Sequence, residues 1–198
     1  MNTLIVVDMQ NDFINIDGKL PVKGAFEALF NIYALIESNE IDKVIFTADW
    51  HVPSHESFKL NGGQWPEHCV QFSEGAAIFE GLLQRCSKVH KSYYVTTKAH
   101  EEEQYGAFQN LTYNPNCEQV YYYNGNDELC YIDYTAGRDK FIICGVAGDY
   151  CVLNTIKNLE PIWKDVQVYL PGIASIDDGT TLQKFMEENN IPNMNFNK

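Results

Sequence analysis

Between Thr47 and Phe58 the chain reads TADWHVPSHESF, so Asp49, His51 and His55 fall within one short stretch, and His68 follows in WPEHC. Two imidazoles and a carboxylate are a donor set for a divalent metal such as Zn²⁺, Mn²⁺ or Fe²⁺, leaving positions open for water or substrate. An Asp-x-His pair alone is ordinary loop polarity. Here three of the chain's five histidines lie within eighteen residues, which favours a metal site built on Asp49, His51 and His68. His55 is either a further ligand or a solvent-facing side chain. The remaining two, His90 and His100, read as surface residues.

A second chemistry is suggested by CGVAGDYCV (144–152). Gly145 and Gly148 permit a tight strand-to-helix turn, which puts the Cys151 thiol at a helix start. The positive end of a helix dipole lowers a thiol's pKa, and the unpaired amides of such a turn can hold an oxyanion. Against this stands the ordinary fate of cysteine, to fill a core. Asp8 interrupts the apolar run IVVD, where a carboxylate needs a partner or its pKa rises. Lys98 closes YYVTTK and is a candidate for that partner, with Lys91 as a competitor. Asp12 fits a cap satisfied by backbone amides.

These residues converge only if particular elements carry them. The runs TLIVVD (3–8), KVIFTAD (43–49), YYVTTK (93–98), KFIICG (140–145) and VQVYLPG (166–172) are continuously apolar, as strands buried on both faces of a parallel sheet are. Apolar residues recur at helical spacing over 23–38, 150–160 and 179–190. AAIFEGLLQRC contains a short helix, and PNMNF could add an edge strand. The alternation predicts an α/β fold, a three-layer α/β/α sandwich around a mostly parallel sheet of five or six strands. Asp8, Asp49, Lys98 and Cys151 would then share the edge where the strands end, which is where such folds bind ligands. Residues 111–123 fit either a hairpin excursion or an irregular crossover. No linker divides the chain, so residues 1–198 are expected to form a single domain.

A formal charge of −13 disfavours nucleic acid and anionic membranes as partners. The N-terminal apolar run ends at Asp8 without a basic region before it, so it reads as a strand rather than a signal peptide. A cytoplasmic location is the expectation, with the six cysteines (69, 86, 117, 130, 144 and 151) as free thiols.

Taken together, VVDMQNDF, TADWHVPSHESF, WPEHCVQ and CGVAGDYCV, in that order and with KAHEEEQYGAF (98–108) between the last two, resemble the nicotinamidase/isochorismatase-like cysteine hydrolases, and within them the nicotinamidases. The resemblance spans nearly the whole chain. It implies a catalytic triad of Asp8, Lys98 and Cys151, the spacing to YGAF selecting Lys98 over Lys91. It places a metal on Asp49, His51 and His68, with His55 as the variable position. It implies a cis peptide at Val146–Ala147, an oxyanion hole from the amides of Ala147 and Cys151, and a substrate-binding wall of Phe13, Trp65 and Tyr105. The implied activity is hydrolysis of nicotinamide to nicotinate and ammonia in NAD salvage, through a cysteine thioester. One divalent ion per chain would assist, zinc first, with manganese or iron as alternatives. A small-molecule amide is then the partner, and a homo-oligomer the family expectation. Three positions depart from the pattern: Gly148 for a common Thr, Gly106 for a usual Ser, and Ala99 for the Gly that customarily follows the lysine. The rival within the family is a hydrolase of another small amide or carbamoyl compound. From another class, the rival is a non-catalytic metal- or ligand-binding protein on the same fold.

Overall fold

The computed structural model describes residues 1–196. All five expected strands form, as β1 (Asn2–Val7), β2 (Lys43–Asp49), β3 (Ser92–Lys98), a fourth over Lys140–Gly145 and a fifth over Val166–Ile173. Every pairing in this sheet is parallel. The three-stranded sheet that lies between in sequence consists of β4 (Gln109–Asn114), β5 (Gln119–Tyr123) and β6 (Leu129–Asp133), so the last two strands of the main sheet are β7 and β8. The order is β3-β2-β1-β7-β8. The chain builds outward from β1 on one side and then returns to β1's other side with β7. The loops after β1 and β7 therefore diverge at the carboxyl edge, and a crevice opens between them.

Side chains of β1 alternate between two cores. Leu4 and Val6 face α2 (Ala25–Glu37) and α3 (Glu80–Lys88), packing against Leu29, Ile32, Ile36 and Leu82. Ile5 and Val7 face the other layer, formed by α4 (Leu153–Asn158), α5 (Thr180–Glu188) and the small sheet through Val120, Tyr122 and Ile132. Each such fully buried aliphatic side chain contributes about 1.5–3 kcal/mol. This buried centre makes the sheet a rigid base for the side chains at its edge. None of the helices among the described residues is long and apolar enough to cross a membrane. α1, a single turn over Asn11–Ile14, completes the helices.

Three expectations need correction. β3 is not buried on both faces: it is an edge strand, and Tyr93, Tyr94 and Val95 are 36–45% exposed. Aromatic and β-branched residues favour a strand without specifying whether it lies at the centre or the edge. PNMNF adds only a single bridge, Asn193 to Val168, not a sixth strand. The helix expected over 150–160 is broken into an irregular turn (Gly148–Val152), α4, and a 3₁₀ segment (Glu160–Asp165) that begins at Pro161's ring constraint. Of the two alternatives for 111–123, the hairpin excursion forms, as part of an antiparallel meander whose turn is tied to β3 by Gly125 N–H donating to Thr97 O at 2.8 Å.

Candidate active site and metal centre

The strand ends bring Asp8, Asp49, Lys98 and Cys151 together. Asp8 follows β1 with φ of 49°, a left-handed conformation uncommon for a residue with a side chain. Its N–H donates to Thr47 O at 3.2 Å, and Thr47 Oγ1 donates to Asp8 Oδ1 at 2.6 Å. The parallel register sets Asp49 opposite Lys98. Gln10 brackets Asp49 from the backbone, accepting its N–H at 2.9 Å and donating to its carbonyl at 2.8 Å. The Lys98 ammonium donates to Asp49 Oδ1, lies 2.8 Å from Asp8 Oδ2 and 3.6 Å from Cys151 Sγ. All four groups are buried, Lys98 at 1% exposure. A cation there persists only because two carboxylates flank it. Lys91 is elsewhere: its ammonium donates to the carbonyls of Ile36, at 2.6 Å, and Ser38, at the carboxyl end of α2.

Burial governs the protonation of this cluster, and it reverses one expectation. It pushes the Cys151 thiol well up, Lys98 pulls it down less, and Asp8 and Asp49 push it up again. The resting group is a neutral thiol. The dipole of a broken helix start does not outweigh desolvation at a 7%-exposed residue. Asp8 is also raised, by burial first, with Lys98 opposing and Asp49 adding. Asp49 goes the other way: burial would raise it, but Lys98 and then His51 and His68 hold it well below the usual carboxylate range. Burial alone would lower Lys98, yet Asp49 and Asp8 hold it above its ordinary value. Ligand atoms of Asp8, Asp49 and Cys151 lie within 4.8 Å of one another, so a carboxyl raised by burial adjoins a thiol raised by burial.

The turn before Cys151 carries the cis peptide at Val146–Ala147. The amides of Gly148, Tyr150 and Val152 are committed, the first to Ala174 O and the other two to Ala147 O. Those of Ala147 and Cys151 remain as candidates beside the thiol. Gly148 and Gly106 explain two departures from the family pattern. A Cβ on Gly148 would collide with Ser175 Oγ, whose hydroxyl fills the space a threonine would need. A Cβ on Gly106 would lie 2.6 Å from the Asn154 carbonyl oxygen. Ala99 adopts φ of 53°, the region that favours glycine.

The metal-type donors sort by their hydrogen bonds. His51 Nδ1 faces Ala99 O at 2.7 Å and His68 Nδ1 faces Pro66 O at 2.7 Å. A carbonyl only accepts, so both Nδ1 atoms carry the proton and both Nε2 lone pairs are left for a ligand. Those Nε2 atoms lie 3.6 and 4.0 Å from Asp49 Oδ2, and His51 Nε2 is buried with no hydrogen-bond partner. An orphaned lone pair facing a carboxylate and a second imidazole fits a divalent cation. Burial pushes His68 down, toward the neutral ligand form, with Asp49 opposing. His55 has the opposite tautomer. Its Nδ1 accepts the Ser57 N–H at 3.2 Å and its Nε2–H donates to Glu102 O at 3.0 Å. Both nitrogens are occupied, so His55 ties two loops together and offers no lone pair. Nor is it solvent-facing, being 1% exposed. Asp12, as expected, serves the backbone: Oδ2 accepts the Cys69 N–H at 2.7 Å and so fastens the loop bearing His68.

Above these groups is a pocket. Phe13, Trp65 and Tyr105 line it, together with Leu20, Val22, Tyr150 and Ile176, which the sequence did not single out. Tyr150 stacks edge-on to Trp65 at 5.1 Å and tilts against Tyr105 at 5.4 Å. His90 is exposed, as expected of a surface residue, whereas His100 is partly buried, its Nε2 2.8 Å from Thr97 Oγ1.

The family model described as the Isochorismatase domain matches residues 2–174. The nicotinamidase of Saccharomyces cerevisiae is 28% identical, with 98% of each chain covered. Among solved structures, the yeast nicotinamidase bound to the inhibitor nicotinaldehyde superposes with a TM-score of 0.76 at 26% identity, covering 99% of this chain and 100% of that one. The pyrazinamidase of Pyrococcus horikoshii in complex with zinc gives 0.74 at 27% identity, covering 98% and 99%.

Proposed function

The chain belongs to the isochorismatase domain family, and from that premise we propose that it is a metal-dependent nicotinamidase, hydrolysing nicotinamide to nicotinate and ammonia through a thioester on Cys151. The observation that carries this reading is the juxtaposition itself. A buried thiol, carboxylate and ammonium meet at the floor of an aromatic-walled pocket that also holds the Asp49, His51 and His68 donors. The yeast relative solved with nicotinaldehyde supports a pyridine ligand.

In this mechanism Asp8 removes the Cys151 proton as sulfur attacks the carboxamide carbon. The Ala147 and Cys151 amides hold the oxyanion. Asp8 returns the proton to the departing nitrogen, ammonia leaves, and the thioester remains. Asp8 next takes a proton from water, whose oxygen attacks the thioester, and then reprotonates sulfur as nicotinate is freed. Lys98 keeps Asp8 ionised against desolvation and stabilises the thiolate as it forms. Phe13, Trp65 and Tyr105 enclose the ring. A divalent ion on Asp49, His51 and His68, zinc first and manganese or iron as alternatives, would supply a Lewis acid for the pyridine nitrogen.

The test is ammonia release from nicotinamide and from benzamide, with and without a chelator. Nicotinamide should be turned over by metal-loaded protein. Benzamide, which has no ring nitrogen, should be a poor substrate. No release from nicotinamide by metal-loaded protein would refute the reading.

A further inference from the structure

Among the described residues, one charged side chain lines the pocket without belonging to the triad or the metal donors. Glu103 stands in the wall beside Trp65 and Tyr105 and is exposed toward solvent. The Tyr105 hydroxyl accepts the Trp65 Nε1–H and the Gln64 Nε2–H, each at 3.0 Å, and donates to Glu103 Oε1. Burial first and Glu103 second push the Tyr105 phenol up to about 12, so it remains a donor at neutral pH. The carboxylate is thereby fastened to the aromatic wall. Glu103 N–H donates in turn to Glu56 Oε1 at 2.9 Å, which brings a second carboxylate alongside, and the exposed Glu101 and Glu102 precede it. Among the described residues, no lysine or arginine lines the pocket. Lys98 lies beneath, committed to Asp8 and Asp49.

We propose that Glu103 is a specificity-determining residue: its carboxylate at the pocket mouth selects uncharged amides and disfavours acyl groups that carry a negative charge, including the carboxylate product. The proposal rests on the amidase reading above. Hydrolysis converts a neutral amide into an anion, so a fixed negative group at the mouth leaves substrate binding almost untouched while weakening product binding. Because Glu103 is exposed, solvent and salt screen this discrimination, which is therefore strongest at low ionic strength. Amides that already bear a carboxylate are excluded on the same ground, which separates this pocket from one built for an anionic carbamoyl compound.

Glu103→Gln tests it, because the amide oxygen still accepts the Tyr105 hydroxyl while the charge is gone. The measured quantity is the inhibition constant of nicotinate divided by KM for nicotinamide, on metal-loaded enzyme at low and high ionic strength. Coulomb's law for one unit charge across a small pocket gives a ratio lowered roughly three- to tenfold in the variant at low salt, a gap that closes as salt screens it. Glu103→Asp should keep the wild-type ratio. A structural role would move both constants together and show no salt dependence. A ratio equal in wild type and Glu103→Gln, or an aspartate variant that behaves like the glutamine one, would overturn the proposal while leaving the amidase reading intact. Failure of wild type to hydrolyse nicotinamide would remove the amidase reading instead, and this proposal with it.

Discussion

Replacing Lys98 by Met removes a charge and keeps the length of the side chain. The ammonium it deletes lies 2.8 Å from Asp8 Oδ2, donates to Asp49 and lies 3.6 Å from the Cys151 sulfur. Two buried carboxylates then face each other without a cation. Breaking a buried ion pair from one side costs about 3–5 kcal/mol. For a chain of this size that lowers Tm by about 6–20 °C. The sign of the pH dependence follows from the carboxylates. In wild type Asp49 is held low, so its stabilisation is present above the unfolded carboxyl pKa of about 3.9 and is lost as pH falls through its folded value. In the variant both native carboxyl pKa values move up. A carboxyl with a raised folded pKa destabilises the native state above the unfolded pKa, and that cost disappears on acidification. The stability gap between the two proteins should therefore be widest at neutral pH and shrink toward about pH 4. Urea denaturation in the presence of a chelator, which takes metal linkage out of both proteins, measures it. Turnover should fall by about two orders of magnitude or more, with its acid limb moved to higher pH because Asp8 is harder to ionise. Equal stability of the two proteins at neutral pH, or an acid limb that does not move, would refute the placement of Lys98 between the two carboxylates.

Cys151→Ala should abolish ammonia release while circular dichroism and metal content stay as in wild type. Alkylation at neutral pH should reach the exposed Cys117 before Cys151, which is buried and a neutral thiol at rest. His51→Ala and His68→Ala should lose bound metal by elemental analysis, whereas His55→Ala should retain it, since both His55 nitrogens are already occupied. Gly148→Thr should destabilise by about 1–3 kcal/mol through overpacking, and Ser175→Gly in the same chain should recover part of that loss in a thermal melt.

Asp8, Asp49, Lys98 and Cys151 were legible because each ends or follows an apolar run, and parallel strands share an edge whatever their order in the sheet. Their protonation was not legible. The thiol's shift depends on how much protein covers it, a tertiary quantity that no local pattern of glycines encodes. Tyr150 was missed because its place in the wall exists only through a partner distant in sequence, Trp65, and Glu103 because nothing local says that an exposed acidic run lies against the pocket. His55 looked like His51 from spacing alone. Hydrogen bonds to Ser57 and Glu102 separate them, and these arise where two loops meet. The meander over 109–133 was ambiguous because QVYYY is short and mixes polar with aromatic residues.

The exposed edge of β3 gives the protein's acidity a physical purpose apart from catalysis. Tyr93 to Val95 lie on the flank where, among the described residues, no further strand of the main sheet follows, and there they present partly exposed apolar side chains, although the small sheet approaches this strand through Tyr122 and Gly125. Such an edge is a template for another chain's strand. A formal charge of −13 keeps copies apart at long range. Salt above about 0.1 M shortens that repulsion to less than about 10 Å, and acidification toward the isoelectric point of 4.7 removes it. Colloidal stability is thus divided between a sheet that invites growth and a charge cloud that forbids approach.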